Sequence, residues 1–164
     1  MDLDSKKVYL LLGSNLGDRK SIVEQAIEQI YFRIGDIFAV SSLYETAAWG
    51  KTDQPDFLNV AVGVNTNLAP MDVLEHALTI EQELGRVRHD KWGSRLIDID
   101  VILYEQLVVD EGVKLQIPHP QMQYRKFVLA PLAEIAGAEI HPILHKSISE
   151  ILDILEDNLS VAKI

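Results

Sequence analysis

The chain contains no cysteine, and this absence excludes several kinds of site. No disulfide, thiolate nucleophile or cysteine-ligated zinc or iron–sulfur centre can form. The five histidines show no HExxH spacing, so a histidine-based metal site is not predicted either. Carboxylates remain as the candidate metal ligands.

Long apolar runs are also missing. No window approaches 18 consecutive apolar residues, and the N-terminal run from Val8 to Leu12 has no cleavage-site pattern. We therefore expect a soluble, cytoplasmic protein with no membrane partner. The length of 164 residues and the apolar content of 48% predict one domain, residues 1–164, without repeats or linkers.

Positive charge is scarce outside one short segment. The net charge of −10 disfavours nonspecific binding to nucleic acid or to an anionic membrane. Residues 86–95 are the exception, with four basic residues and one acid. This basic segment favours a small anionic ligand, although a solvated loop whose arginines pair with surface carboxylates is the alternative.

Hydrophobic periodicity predicts an α+β fold. The order strand, helix, strand, strand, helix, strand is typical of a ferredoxin-like sandwich, an antiparallel sheet with helices packed on one face, here with C-terminal additions. We predict strands at Tyr9–Leu12, Ile37–Glu45, Phe57–Asn65 (half-buried) and Leu96–Tyr104, and helices from Asp18 or Ser21 to near Gly35 and from Pro70 to Gly85. A hairpin over Leu107–Ile117 and helices over Phe127–Ala136 and Ile148–Leu155 follow.

Two aspartates interrupt the last predicted strand of the sandwich. Asp is depleted in strands, yet Asp98 and Asp100 share one strand face, about 6.5 to 7 Å apart. The alternate apolar residues, from Ile97 to Leu103, face the other way. This spacing suits hard cations and metal-assisted handling of a polyphosphate. A solvated sheet face is the alternative.

Three further features have both a functional and a structural interpretation. Phe57 and Asn59 share a strand face that could stack on and read a flat heterocycle, or they could be a core residue and a strand-edge residue. His119, between two prolines, could present its imidazole to a phosphate or could simply lie in water. The Gly13–Asp18 segment lacks the Walker spacing, so we interpret it as a strand-to-helix turn.

An ordered set of motifs connects these features. The set comprises Tyr9–Gly17, Ser41–Thr46, Asp53–Asn59, Leu84–Arg88, Lys91–Ile102 and Ile117–Pro120 with Arg125 and Phe127. On these motifs the chain resembles the 6-hydroxymethyl-7,8-dihydropterin pyrophosphokinase family over nearly its whole length. The resemblance implies a diphosphokinase that transfers the terminal diphosphate of ATP to the hydroxymethyl oxygen of the pterin and releases AMP, a step of folate biosynthesis.

The resemblance also implies roles for individual residues. It implies two Mg²⁺ ions on Asp98 and Asp100, which act catalytically together with Arg86 and Arg95. The implied pterin site is Thr46, Ala47, Ala48, Phe57, Asn59, Trp92 and Phe127. The implied ATP site is Arg86, Arg88, Trp92, Arg95, Val101, Lys114, Leu115, His119 and Arg125. Small-molecule substrates and a monomeric state are the expected partners and assembly.

Some positions depart from the family pattern. Prolines are common in relatives where this chain has Ala47 and Ala48 and again where it has Ser94, and Pro120 stands where an aromatic residue is frequent. The competing interpretation is a noncatalytic ferredoxin-like module that binds a small regulatory ligand. An RNA-binding sandwich is disfavoured because the acidic chain lacks the basic aromatic sheet motif.

Overall fold

Three long strands form the centre of one antiparallel sheet. The computed structural model describes residues 4–15, 18–46, 57–85, 96–156 and 160–164. Strand β1 (Lys6–Ser14) lies between strand β4 (Phe57–Thr66) and strand β5 (Asp98–Tyr104) and pairs with both. Its residues from position 8 to position 14 are all buried, as expected for a central strand covered on both faces.

Shorter strands complete the sheet beyond β4. Strands β2 (Gly35–Val40) and β3 (Tyr44–Thr46) both pair with β4, and β8 (Val161–Lys163) pairs with β3. The path is therefore β5-β1-β4-β3-β8. Strands β6 (Val109–Asp110) and β7 (Gln116–Ile117) form the separate hairpin that the sequence predicts.

Helices cover both faces of the sheet. Helices α1 (Arg19–Arg33) and α2 (Pro70–Gly85) pack on one face through residues such as Ile30 and Ile80. Helices α3 (Lys126–Ala136) and α4 (Ile148–Ile154) pack on the other through Leu129 and Ile148. Two apolar cores result, one on each side of the sheet. In the part of the chain that the structure describes, no helix combines the length and apolar character needed to cross a membrane.

The capping residues behave as the sequence indicates. Asp18 is the N-cap of α1, and its carboxylate accepts a hydrogen bond from the Ser21 N–H. Helix α4 begins with a capping box formed by Ser147 and Glu150. These caps satisfy backbone N–H groups that the first helical turn leaves without intrahelical partners.

The sheet with packed helices confirms the predicted fold class, while the ferredoxin-like detail stays a prediction. The expectation of helices on one face only is wrong, because α3 and α4 cover the second face. For the same reason β4 is buried on both sides rather than half-buried.

Two strand predictions also need correction. The single strand predicted over Ile37–Glu45 is two strands, because the Ser41 hydroxyl accepts the Ala61 N–H where a backbone carbonyl would continue the ladder. Leu103 belongs to the core beneath α3 and α4, not to that of Ile97 and Ile99. A register shift between β1 and β5 at Tyr9 causes this change of face.

Candidate active site

The two aspartates lie on the sheet face that α3 and α4 cover. Asp98 is opposite Gly13 on β1, and Asp100 is opposite Leu11, whose side chain lies in the α3/α4 core. Side chains directly opposite each other on neighbouring strands share a face, so both carboxylates point to this side. Both residues are partly exposed. The predicted shared face is therefore what the register produces.

The row of Asp98 continues across the sheet to an amide. Gly13 is opposite Asn59 on β4 as well, and Asn59 is opposite Tyr44 on β3. Asp98 and Asn59 are thus two strands apart, about 10 Å between Cα atoms at the usual strand spacing. Because glycine lies between them, no side chain fills the centre of the row. We call the positions Asp98, Gly13 and Asn59 the cross-sheet row.

Asn59 is held in one orientation. Its side chain is buried, and its Oδ1 accepts a hydrogen bond of 3.2 Å from the Thr46 hydroxyl. A Cβ atom at position 13 would lie 2.9 Å from Asn59 Nδ2, so the amide nitrogen rests against the glycine backbone. A carboxamide both donates and accepts, which suits the polar edge of a heterocycle.

The start of α3 brings a cation and an aromatic ring to the same face. The Arg125 guanidinium carbon lies 5.7 Å from the centroid of the Phe127 ring. Phe57 is opposite Thr46 and, by strand alternation, points to this face too. Phe57 and Asn59 therefore share a strand face, as the sequence predicts, and Phe127, which the resemblance implies as a pterin contact, lies on the same side of the sheet.

His119 lies near Asp100 and is a neutral hydrogen-bond donor. The backbone N–H of His119 donates to the Ile102 carbonyl on β5. The ring Nδ1 accepts the Gln121 backbone N–H at 3.1 Å, so the proton of the neutral imidazole is on Nε2. Burial, together with the positive charge of Arg125, lowers the pKa of His119 and outweighs the opposing effect of Asp100. The imidazole can therefore donate a hydrogen bond to an anion without adding charge.

The donor set fits a magnesium ion that also binds substrate oxygens. Among the described residues no group of three or more His, Cys, Asp or Glu side chains forms a metal site. Mg²⁺ nevertheless commonly takes only one or two carboxylates as protein ligands, while phosphates and water occupy its other coordination positions, so two carboxylates on one strand face are sufficient. His141 and His145 have HxxxH spacing, but His141 Nδ1 accepts backbone N–H groups in a turn.

The remaining predicted residues fall into two groups. Val101 and Leu115 are buried in the core beneath α1 and α2, so their side chains do not face the cross-sheet row; Lys114 is exposed beside them. The other predicted site residues lie outside the described residues: Ala47, Ala48, Arg86, Arg88, Trp92 and Arg95.

Three residues near the site were not predicted from sequence. Ser14 and Asn15 follow the cross-sheet row at the end of β1 and are buried, and their side-chain Oγ, Oδ1 and Nδ2 atoms have no hydrogen-bond partner among the described residues. On the opposite face, Glu81 of α2 accepts the Ile99 N–H, between the two aspartates. The sequence signal for Ser14 and Asn15 is a polar pair at the end of a buried strand. Buried polar groups without partners are rare, so the pair points to a ligand contact.

Comparison with known proteins identifies one family. A family model described as 7,8-dihydro-6-hydroxymethylpterin-pyrophosphokinase matches residues 9–137. Two curated relatives carry the name 2-amino-4-hydroxy-6-hydroxymethyldihydropteridine pyrophosphokinase. The Methylorubrum extorquens protein is 47% identical over 131 residues (79% of this chain, 82% of the relative). The Aquifex aeolicus protein is 42% identical over 143 residues (87% and 88%).

A solved structure supports the fold alone. A Plasmodium falciparum HPPK-DHPS triple mutant superposes with a TM-score of 0.76 at 17% identity. The match covers 91% of this chain and 43% of that one, so the chain spans less than half of that larger protein.

Proposed function

Because the chain belongs to the 7,8-dihydro-6-hydroxymethylpterin-pyrophosphokinase family, we propose that it transfers diphosphate from ATP to the hydroxymethyl group of 6-hydroxymethyl-7,8-dihydropterin. AMP and the pterin diphosphate are the products. The cross-sheet row carries this proposal, since one sheet face offers a carboxylate pair and, about 10 Å away, an oriented amide. A noncatalytic module is not favoured, because the curated relatives are named as enzymes.

The amide end of the row binds the pterin. Asn59 and Thr46 read the polar edge of the ring system, while Phe57 and Phe127 stack on its two faces. Supporting this assignment, Asn59 is buried and fixed by the Thr46 hydroxyl. An amide fixed in this way selects a heterocycle whose edge both donates and accepts.

The carboxylate end of the row handles the triphosphate. Asp98 and Asp100 would hold two Mg²⁺ ions, which would neutralise phosphate charge and polarise the phosphoryl oxygens around the phosphorus that is attacked. His119 donates from Nε2, and Arg125 adds a fixed positive charge near the same place. ATP is the co-substrate that the family implies.

The reaction is a displacement at the β-phosphorus of ATP. The hydroxymethyl oxygen forms a new bond to that phosphorus, the bond to the oxygen shared with the α-phosphate breaks, and the hydroxyl proton passes to solvent. The protein orients the two substrates in line and stabilises charge on the leaving oxygen. In this scheme Arg86 and Arg95 bind the phosphates, and Arg88 and Trp92 are further contacts of the nucleotide.

Three further properties belong to the same proposal. The enzyme acts as a monomer, it is cytoplasmic, and its partners are small molecules rather than nucleic acid. The net charge of −10 supports the last point, and the absence of cysteine is compatible with a reducing compartment.

Nucleotide analysis tests the function directly. The protein is incubated with ATP and Mg²⁺, with and without 6-hydroxymethyl-7,8-dihydropterin, and the nucleotides are separated. We expect AMP only when the pterin is present. ADP as the product, or AMP formation that is independent of pterin, would refute the assignment.

A further inference from the structure

The carboxylate of Glu134 joins three separate elements. Glu134 lies on α3, and its two oxygens accept hydrogen bonds from the Ser42 N–H (2.7 Å), the Ser42 hydroxyl (3.1 Å) and the Tyr44 hydroxyl (2.7 Å). Lys163 of β8 lies 3.5 Å away. A helix, a strand and the neighbouring strand therefore meet at one side chain. We call this set the Glu134 tie.

The tie keeps its protonation state around neutral pH. Burial alone would raise the pKa of Glu134, but the hydrogen bonds from Tyr44 and Ser42 and the charge of Lys163 outweigh it and lower the pKa. Burial and the Glu134 carboxylate raise the pKa of Tyr44 to about 12. The carboxylate therefore remains an acceptor and the phenol a donor.

Glu134 and Tyr44 each lie on the same element as a residue at the pterin end of the cross-sheet row. Phe127 precedes Glu134 by seven residues, about two helical turns, so the two lie on the same side of α3. Thr46 follows Tyr44 by two residues on the same face of β3 and holds the Asn59 amide. The tie thus connects α3, which carries the Phe127 ring, to β3, whose Thr46 orients the Asn59 amide.

We propose that Glu134 is a positioning residue that sets the distance between Phe127 on α3 and the Thr46–Asn59 pair on the sheet. This role rests on the proposed function, because it assigns the pterin to the space between those elements. Its predicted signature is uneven: loss of the tie loosens the space between Phe127 and the Thr46–Asn59 pair, and it disturbs the nucleotide end less, through Arg125 at the start of α3. Glu134 is not expected to touch either substrate.

The hydrogen bonds, rather than the ion pair, carry this role. The Lys163 side chain is 57% exposed, and exposed ion pairs contribute little. Hydrogen bonds from a backbone N–H and a phenol are directional, and a neutral amide of the same shape can take part in them as well. Glu134→Gln should therefore preserve the tie, since its amide oxygen can accept from Ser42 while its NH₂ donates to the Tyr44 oxygen.

The test compares ligand binding by Glu134→Ala, Glu134→Gln and a matched control. Glu83→Ala is the control, because Glu83 also ties two elements through both oxygens, in this case with Arg33 on the opposite side of the sheet. Titration calorimetry gives the dissociation constants for the pterin and, separately, for a nonhydrolysable ATP analogue with Mg²⁺. Hydrogen exchange of residues 41–46 reports on the tie itself.

We expect Glu134→Ala to weaken pterin binding on the order of tenfold, a size typical of small displacements in a preorganised site, and to weaken ATP-analogue binding by less than about threefold, through Arg125. Exchange in residues 41–46 should accelerate. Glu134→Gln and Glu83→Ala should bind the pterin like the wild type. If Glu134→Ala does not fold, Tyr44→Phe removes one donor and should weaken pterin binding roughly threefold.

Several results would overturn the proposal. Unchanged pterin binding by Glu134→Ala, equal weakening for both ligands, or a Gln variant as impaired as the Ala variant would each do so. A wild-type protein that binds no pterin would refute the proposed function as well. Normal wild-type binding together with an unaffected Ala variant would refute the positioning role alone.

Discussion

The absence of a side chain at Gly13 leaves room for the Asn59 amide. Gly13 lies between Asp98 and Asn59, and an added Cβ would come within 2.9 Å of the Asn59 amide nitrogen. Real Cβ atoms rarely lie so close to another heavy atom, so the amide must move if position 13 gains a side chain. Glycine is required here because it has no side chain, not because of its backbone freedom.

Gly13→Ala should therefore impair pterin recognition. We expect the displaced amide to weaken pterin binding by about tenfold while ATP-analogue binding is unchanged, which titration calorimetry would measure. Gly85→Ala is the matched control, since a Cβ there meets none of the described residues within 4 Å. Pterin binding that is equally unaffected in both variants would show that Asn59 does not read the ring.

Asp98 and Asp100 matter as a pair of charges. We expect Asp98→Asn and Asp100→Asn each to lower kcat by at least about 10²-fold, because each removes a charged metal ligand. For Asp100→Asn, stability should be unchanged or slightly higher, since like charges on one strand face repel. Asp153→Asn, at an exposed position on α4, serves as the control. Near-normal kcat in both site variants would refute the metal assignment.

His141 should make stability depend on pH. Burial, helped by the charge of nearby His145, lowers its pKa below the usual 6.5, and its Nδ1 accepts two backbone N–H groups. Between the folded pKa and 6.5 the unfolded chain binds more protons. The contribution of His141 to stability is therefore complete above pH 6.5 and is lost as pH falls through this window.

Replacing this imidazole removes that dependence. His141→Asn keeps an acceptor for the turn but does not titrate. We expect urea unfolding to show a smaller loss of stability from about pH 7.5 to about pH 5.5 in the variant than in the wild type. The same change at His76, on α2, is the control. An equal loss of stability in the wild type and in His141→Asn would contradict the pKa argument.

At the scale of elements, β5 is an edge strand that needs an external acceptor. Ile99 is buried, and its N–H donates to Glu81 on α2 at 2.6 Å. This bond holds the backbone between the two aspartates against α2 from the opposite face of the sheet. An edge strand is otherwise left with N–H groups that lack partners.

Removing that acceptor should destabilise the fold. We expect Glu81→Ala to lower the free energy of unfolding by about 1 to 3 kcal/mol, because a buried N–H loses its partner, and Glu81→Gln to cost less than half as much. Glu75→Ala, at an exposed position on α2, should change stability by less than about 0.5 kcal/mol. Urea unfolding measures all three. A Gln variant as unstable as the Ala variant would assign the effect to charge instead.

Sequence patterns predicted elements well where periodicity alone decides them. Helices α1 and α2 and the hairpin of β6 and β7 lie where apolar spacing and turn residues indicate. The break between β2 and β3 could not be predicted, because it depends on the Ser41 hydroxyl bonding to Ala61 on another strand. The changed face of Leu103 likewise depends on pairing with β1.

At the scale of the molecule, the second helical layer creates the site. Asn59, Ala61 and Gly63 gave one face of β4 a polar or small character that suggested solvent, yet Asn59 and Ala61 are buried. Small side chains permit close packing: a Cβ at Gly63 would meet Phe38 at 2.6 Å, and Ala61 packs in the core of α3 and α4. The aspartate pair could be predicted from strand alternation, whereas the Glu134 tie needs the tertiary fold.

The measurement that tests the central claim most directly is the identity of the group transferred to the pterin. The product of the reaction with ATP and Mg²⁺ is isolated and examined by mass spectrometry and ³¹P NMR. We predict a pterin that has gained a diphosphate, with two coupled phosphorus signals and one AMP formed per product molecule. A pterin carrying a single phosphate with ADP as the other product, or an unmodified pterin, would contradict the account.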